Sequence, residues 1–224
     1  MKLLIYLSIG TTVMLFPVLL QSRWQKLKLW KSLLLTPVLT AAGTVGTMIL
    51  FFIENHWIGG TSFYGAVFFV PVVFLGVAKL LREPYRKIMD LCAPAECAML
   101  VVMKIQCLIS GCCHGRTLCE LSSGTALRFP SQWAELINAL VIMFVLLLLA
   151  KKKPCRGDLF PMYMVIYGCS RFVLNLLRAD LSVFLIGLPA GNFWSVVSVL
   201  IGGIWLYRLR KKPHSAHEIP EQSM

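Results

Sequence analysis

Seven long apolar runs divide the chain, at about 3–21, 32–53, 62–80, 88–109, 132–150, 158–177 and 193–208. A helix needs roughly 20 apolar residues to cross the hydrocarbon core of a bilayer. Helices and closed barrels are the structures that satisfy the backbone in lipid. Each run is therefore read as a spanning helix, and the fold class as an all-α integral membrane protein with seven transmembrane helices. Composition agrees: of 224 residues, 58% are hydrophobic and 14% charged, too few charges to solvate a globule of this size. The fourth run is the least regular, because Asp90, Glu96 and Lys104 interrupt it. The first has Lys2 and then an apolar stretch, as a signal peptide does. It lacks an A-x-A-like cleavage site and runs into "RWQKLKLWK", so it is kept as a helix.

Charge sets the expected orientation. Four short connectors, 23–31, 79–87, 151–156 and 208–212, hold four Lys or Arg each, sixteen of the 22 basic residues. They alternate with connectors nearly free of them. Basic loops stay cytoplasmic, which predicts an N-terminus outside and a cytoplasmic C-terminus. The net charge of +12 is then mainly a topology signal, with some attraction to anionic membrane lipids, and no nucleic-acid partner is expected. Residues 1–212 are read as one transmembrane domain and 213–224, polar and proline-bearing, as a disordered cytoplasmic tail.

Setting those sixteen aside leaves Lys2, Lys104, Arg116, Arg128, Arg171 and Arg178. Apart from Lys2, all fall in the outer half of the membrane or the outer loops. Ionisable groups at that depth mark a site by default. In the sixth run, Tyr167, Arg171, Asn175 and Arg178 follow one another at spacings of four, four and three, one stripe of a helix. Paired guanidiniums facing a bundle interior suit a phosphate; the competing use is pairing with a buried acid or snorkelling. Lys104 could reach the same phosphate or snorkel outward.

The loop "SGCCHGRTLCELSSGTALRFPSQ", residues 110–132, brings Gly111 and Gly115, which allow close backbone approach, and Arg116. Adjacent Cys112 and Cys113, with His114 and Cys119, depart from zinc-ligand spacing, so neither metal nor other cofactor is expected; a disulfide through Cys119 is favoured and His114 is an interfacial residue. "RFPSQWAE" starts the fifth helix near Ser131, with Gln132 on its first turn and Glu135 one turn inside, either orienting an arginine or moving a proton. In "GGTSFYGA", Gly59 and Gly60 make a turn and Tyr64 follows, ordinarily an interfacial anchor.

Together these segments resemble the prolipoprotein diacylglyceryl transferase family, seven-helix bacterial enzymes. The resemblance runs from 59 to 210 through "GGTSFYGA", "IMDLCAPAECAMLVVMKIQCLISGCCHGR", "RFPSQWAE" and "YGCSRFVLNLLRAD", with a weaker echo at "GLPAGNFWS". Tyr167, Gly168, Arg171, Arg178, Gly111, Gly115, Arg128, Gln132 and Glu135 match the family's motifs. Tyr64 stands where the family has a histidine, Ala66 where it has a glycine, Lys104 where it has an arginine. Cys107 and Ser110 replace asparagines, Cys112 a glutamate, and Asn175 a glutamate. Family members also tend to be longer, which implies a smaller outer cap here.

The resemblance implies transfer of a diacylglyceryl group from phosphatidylglycerol to the lipobox cysteine of prolipoproteins, in the bacterial cytoplasmic (inner) membrane. Phosphatidylglycerol, prolipoprotein signal peptides and membrane lipids are the expected partners, with the chain acting as a monomer. The chemistry needs cations at the leaving phosphate, for which Arg171, Arg178 and Lys104 are candidates, with Gly111, Gly115, Arg116, Arg128 and Gln132 as further phospholipid contacts. It also needs a base for a thiol whose free pKa is about 8.5. Tyr64, Tyr167 and Glu135 are candidates for that role, although a phenol near pKa 10 is a weak base. The alternatives are a non-enzymatic phospholipid-binding protein and an anionic-substrate transporter; no repeat symmetry favours transport.

Overall fold

The computed structural model describes residues 2–56, 60–112, 115–120, 126–152, 157–178, 183–185 and 187–211. The expectations for Gly59, for Cys113 and His114, and for the tail 213–224 lie outside them, and at Cys119 the backbone alone is described. Among the described residues, seven helices form the bundle: α1 (Lys2–Trp24), α2 (Leu29–Asn55), α3 (Tyr64–Leu81), α4 (Tyr85–Ser110), α5 (Ser131–Lys152), α6 (Leu159–Leu176) and α7 (Ala190–Lys211). Among the described residues, the six from α2 to α7 are long and apolar enough to cross a membrane. Large side chains such as Phe16, Phe52, Val72, Phe144 and Ile204 cover the outside of the bundle. That is the reverse of a water-soluble surface and suits lipid. The protein is an all-α integral membrane protein of the multi-pass kind.

The interrupted fourth run is the most deeply buried of the six spans. Asp90, Glu96 and Lys104 are all buried, so α4 turns its charges into the bundle instead of to lipid. Asp90 shows what one of them does. Its carboxylate accepts the backbone N–H of Gly157 at 2.6 Å and of Leu159 at 3.1 Å. The start of α6 thereby gains an acceptor for N–H groups that no earlier turn can satisfy.

Helices α2 and α3 meet where neither has a side chain. A Cβ added to Gly65 would land on the Gly46 carbonyl, and one added to Gly46 would land on Gly65 and Phe69. This close approach is completed by the Ser62 N–H, which donates to Thr47 O at 3.0 Å. At the basic end of the bundle, Lys31 from α2 and Lys87 from α4 clasp Glu83 at 2.5 and 3.1 Å.

The opposite end carries two small antiparallel ribbons too short to leave a periodic signature in sequence. β1 (Thr117–Glu120) pairs with β2 (Ala126–Arg128), and β3 (Val183–Leu185) with β4 (Leu188–Pro189). Beside them an isolated bridge pairs Gly115 with Arg178, and Arg116 N–H donates to Leu177 O at 2.9 Å. The segment between α4 and α5 is thus strapped to the end of α6.

Candidate active site

Glu135 lies one turn into α5, with its side chain 4% exposed, and three cations converge on it. Lys104 of α4 pairs with Oε2. Arg171 of α6 reaches Oε1 at 2.5 Å, and Arg178, just past the end of α6, reaches the same oxygen at 3.3 Å. Glu135 is thus the carboxylate that Lys104, Arg171 and Arg178 share. Of the two uses open to Glu135, orientation of the arginines is the one the geometry displays.

A cavity of about 290 Å³ opens on the other side of these arginines. Tyr167, Arg171, Asn175 and Arg178 all line it, so the stripe expected on the sixth helix is one wall. Arg178 belongs to that wall although α6 ends at Leu176. The remaining walls come from the last turn of α2 (Phe51, Glu54, Asn55), from Thr61 to Tyr64, and from Pro189 to Gly191 at the start of α7. Lys104 and Glu135 do not line it among the described residues; they stand behind the arginines. Of the two uses expected of Lys104, snorkelling outward does not fit its burial; the ammonium pairs with Glu135, since a buried ammonium needs an anion close by.

Tyr64 departs from the anchor expected of an interfacial tyrosine. It opens α3, is 3% exposed, and its ring stands 5.3 Å from that of Tyr167. Its hydroxyl lies 2.6 Å from Ser195 Oγ, and Ser195 Oγ donates to Gly191 O at 2.6 Å. A serine hydroxyl has one proton. With that proton on Gly191 O, Tyr64 is the donor to Ser195. The phenol is therefore a protonated group already committed to a partner.

The loop residues take up supporting positions. Gly111 ends α4 in the left-handed conformation (φ 62°), its N–H on Cys107 O, a helix-terminating geometry that suits glycine. Gln132 donates to Cys107 O at 3.4 Å and to Cys112 O, tying α5 to the end of α4. Gly115 is buried where a Cβ would strike the Phe129 carbonyl. Arg116 and Arg128 are exposed, and Cys112 is an exposed free thiol. None of these lines the cavity among the described residues. Glu54, Ser62 and Ser195 are the site groups that sequence reasoning missed. Glu54 carried a usable signal, being an ionisable residue at the end of an apolar run.

Residues 3–208 match the prolipoprotein diacylglyceryl transferase family. The chain belongs to that family. Its curated relatives include the phosphatidylglycerol–prolipoprotein diacylglyceryl transferase of Paracidovorax citrulli, 29% identical over 165 residues, or 67% of this chain and 60% of that protein. The enzyme of the same name from Polaromonas naphthalenivorans is 30% identical over 164 residues, again 67% and 60%. That from Bordetella bronchiseptica is 31% identical over 166 residues, 69% and 63%. The chain thus spans about 60% of the length of the first two of these transferases.

Proposed function

We propose that this protein transfers a diacylglyceryl group from phosphatidylglycerol to the cysteine thiol of a prolipoprotein. The observation that carries the reading is the pair Arg171 and Arg178, which line the cavity while Glu135, itself paired with Lys104, holds them from behind. Guanidinium forks match phosphate oxygens, and a leaving phosphate gains a negative charge as its ester bond breaks. Membership in the transferase family and the names of its relatives support the same chemistry.

The lipid tails have a place to lie. An apolar groove of about 340 Å³ between α6 and α7 is lined by Gly168, Cys169, Phe172 and Ser195. Ser195 links it to the cavity at one remove, because its hydroxyl lies 2.6 Å from that of Tyr64, a residue of the cavity wall. We place the hairpin end outside and the basic end in the cytoplasm of a bacterial inner membrane, on the alternation of basic connectors. The donor lipid is then drawn from the outer leaflet, and the acceptor is the lipobox end of a signal peptide.

One observation favours a second reading, a phospholipid-binding protein without transferase activity. Tyr64 occupies the family's histidine position and is committed as a donor to Ser195. The two readings separate in a strain depleted of its own transferase. Expression of this chain restores diacylglyceryl modification of a reporter lipoprotein if it is a transferase. An unmodified reporter, with the protein present in the membrane and binding phosphatidylglycerol, establishes the second reading.

A further inference from the structure

The reaction requires a proton acceptor for the thiol, and the groups around the cavity differ in their capacity to be one. Arg171 and Arg178 are cations, and Asn175 has no basic site. Tyr64 has its own proton committed to Ser195. Glu135 has both oxygens against cations and stands behind the arginines. Glu54 is the one carboxylate that lines the cavity among the described residues.

Its placement follows from the last turn of α2. Phe51, Glu54 and Asn55, spaced at i, i+3 and i+4, share one face, and all three line the cavity. The Phe51 ring packs over Gly60, where a Cβ would overlap it. The Ser62 hydroxyl donates to Glu54 Oε1 at 2.7 Å. Ser62 is itself held by its backbone N–H on Thr47 O at 3.0 Å. A carboxylate has about four lone-pair sites, so Glu54 can hold the Ser62 hydroxyl on one oxygen and accept a proton on the other.

We infer that Glu54 is the general base that takes the proton from the acceptor thiol. The inference rests on the transferase reading and fills the role left open where Tyr64 replaces the family's histidine. The step balances without any other reagent. The thiol proton passes to a Glu54 oxygen, and sulfur forms a bond to the glyceryl methylene carbon of the lipid. The bond from that carbon to the phosphate-ester oxygen breaks, and its electron pair leaves on the oxygen. Glycerol phosphate departs with one more negative charge, held by Arg171 and Arg178, while the proton on Glu54 is returned to water. Ser62, bonded to Oε1, holds the carboxylate in place while the other oxygen takes the proton.

The test uses the full-length protein in mixed micelles with phosphatidylglycerol and two lipobox peptides, one bearing cysteine and the other selenocysteine. A selenol is ionised at neutral pH and needs no base. Glu54→Gln retains an oxygen for Ser62 and removes the basic site. It is expected to lower kcat/KM by about 10²–10⁴-fold with the thiol peptide, the usual range for a general base. With the selenol peptide the same variant should come within about tenfold of wild type, on the argument that its nucleophile arrives ionised. Glu54→Asp retains a carboxylate and should fall between the two. The acidic limb of the wild-type pH profile with the thiol peptide should vanish in Glu54→Gln. Equal losses on both peptides, or no loss on either, would overturn the assignment of Glu54. Failure of the wild-type protein to modify either peptide would instead overturn the transferase reading, and the base with it.

Discussion

Replacing Glu135 by Gln keeps the shape of the side chain and removes the anion around which the site is built. In the native arrangement its 4%-exposed carboxylate faces Lys104, Arg171 at 2.5 Å and Arg178 at 3.3 Å. The variant removes the carboxylate that Lys104, Arg171 and Arg178 share and leaves their like charges close together. Removing one partner of a buried ion pair typically costs ~3–5 kcal/mol. Against a total stability of about 5–15 kcal/mol, such a loss is visible in any unfolding assay. Lys104→Met should be milder, at about 1–3 kcal/mol, because it leaves an under-satisfied acceptor that two guanidiniums still face. The double variant should be less destabilised than the sum of the singles, with a coupling of ~0.5–3 kcal/mol. The assay is equilibrium unfolding by titration of a denaturing detergent into mixed micelles, followed by tryptophan fluorescence. Strict additivity of the two substitutions would refute the view that Glu135 organises the cations as a unit.

Arg171→Lys retains charge and loses the fork, so phosphatidylglycerol binding should fall at least tenfold; a native mass-spectrometric titration with unchanged affinity would reduce the arginine to a structural partner. At the basic end, burial alone would raise the Glu83 carboxyl, but hydrogen bonds from Lys31 and Lys87 hold it below its ordinary 4.5. Its contribution to stability should therefore be fully present above pH 4.5 and lost as pH falls through the lowered value, seen as convergence of wild type and Glu83→Gln in acid unfolding curves. Gly65→Ala should push α2 and α3 apart at Gly46 and destabilise the bundle by ~1–3 kcal/mol, the usual cost of overpacking; a neutral result would show that the helices separate freely there.

The spans were legible in the sequence because apolar length is a strong signal. The stripe on α6 was legible because Tyr167, Arg171 and Asn175 recur at helical spacing. Arg178 follows the same spacing, yet it reaches the cavity from just beyond the helix, held by the bridge to Gly115. Lys104 announced itself as a charge at membrane depth, but its separation from the cavity depends on how α4 packs against α5, which no local pattern encodes. The Tyr64–Ser195 contact joins residues 131 positions apart and could not be read from either segment. Glu54 lies at the end of an otherwise unremarkable apolar run and gains its meaning from the Ser62 hydroxyl that bonds to it and from the cavity it lines. The two ribbons are too short to show alternation, and Gly111 and Gln132 are residues whose caps become visible when α4 and α5 are seen together.

The most direct test of the central claim is product analysis on a defined substrate. The purified full-length protein, in mixed micelles with phosphatidylglycerol, is incubated with a lipobox peptide, and the peptide is examined by mass spectrometry. Wild type should add one diacylglyceryl group to the cysteine and release glycerol phosphate in equal amount. Arg171→Ala should reduce the rate by about 10²–10³-fold, as loss of a donor to the developing anion does. A peptide that stays unmodified while the protein binds the lipid saturably would contradict the account.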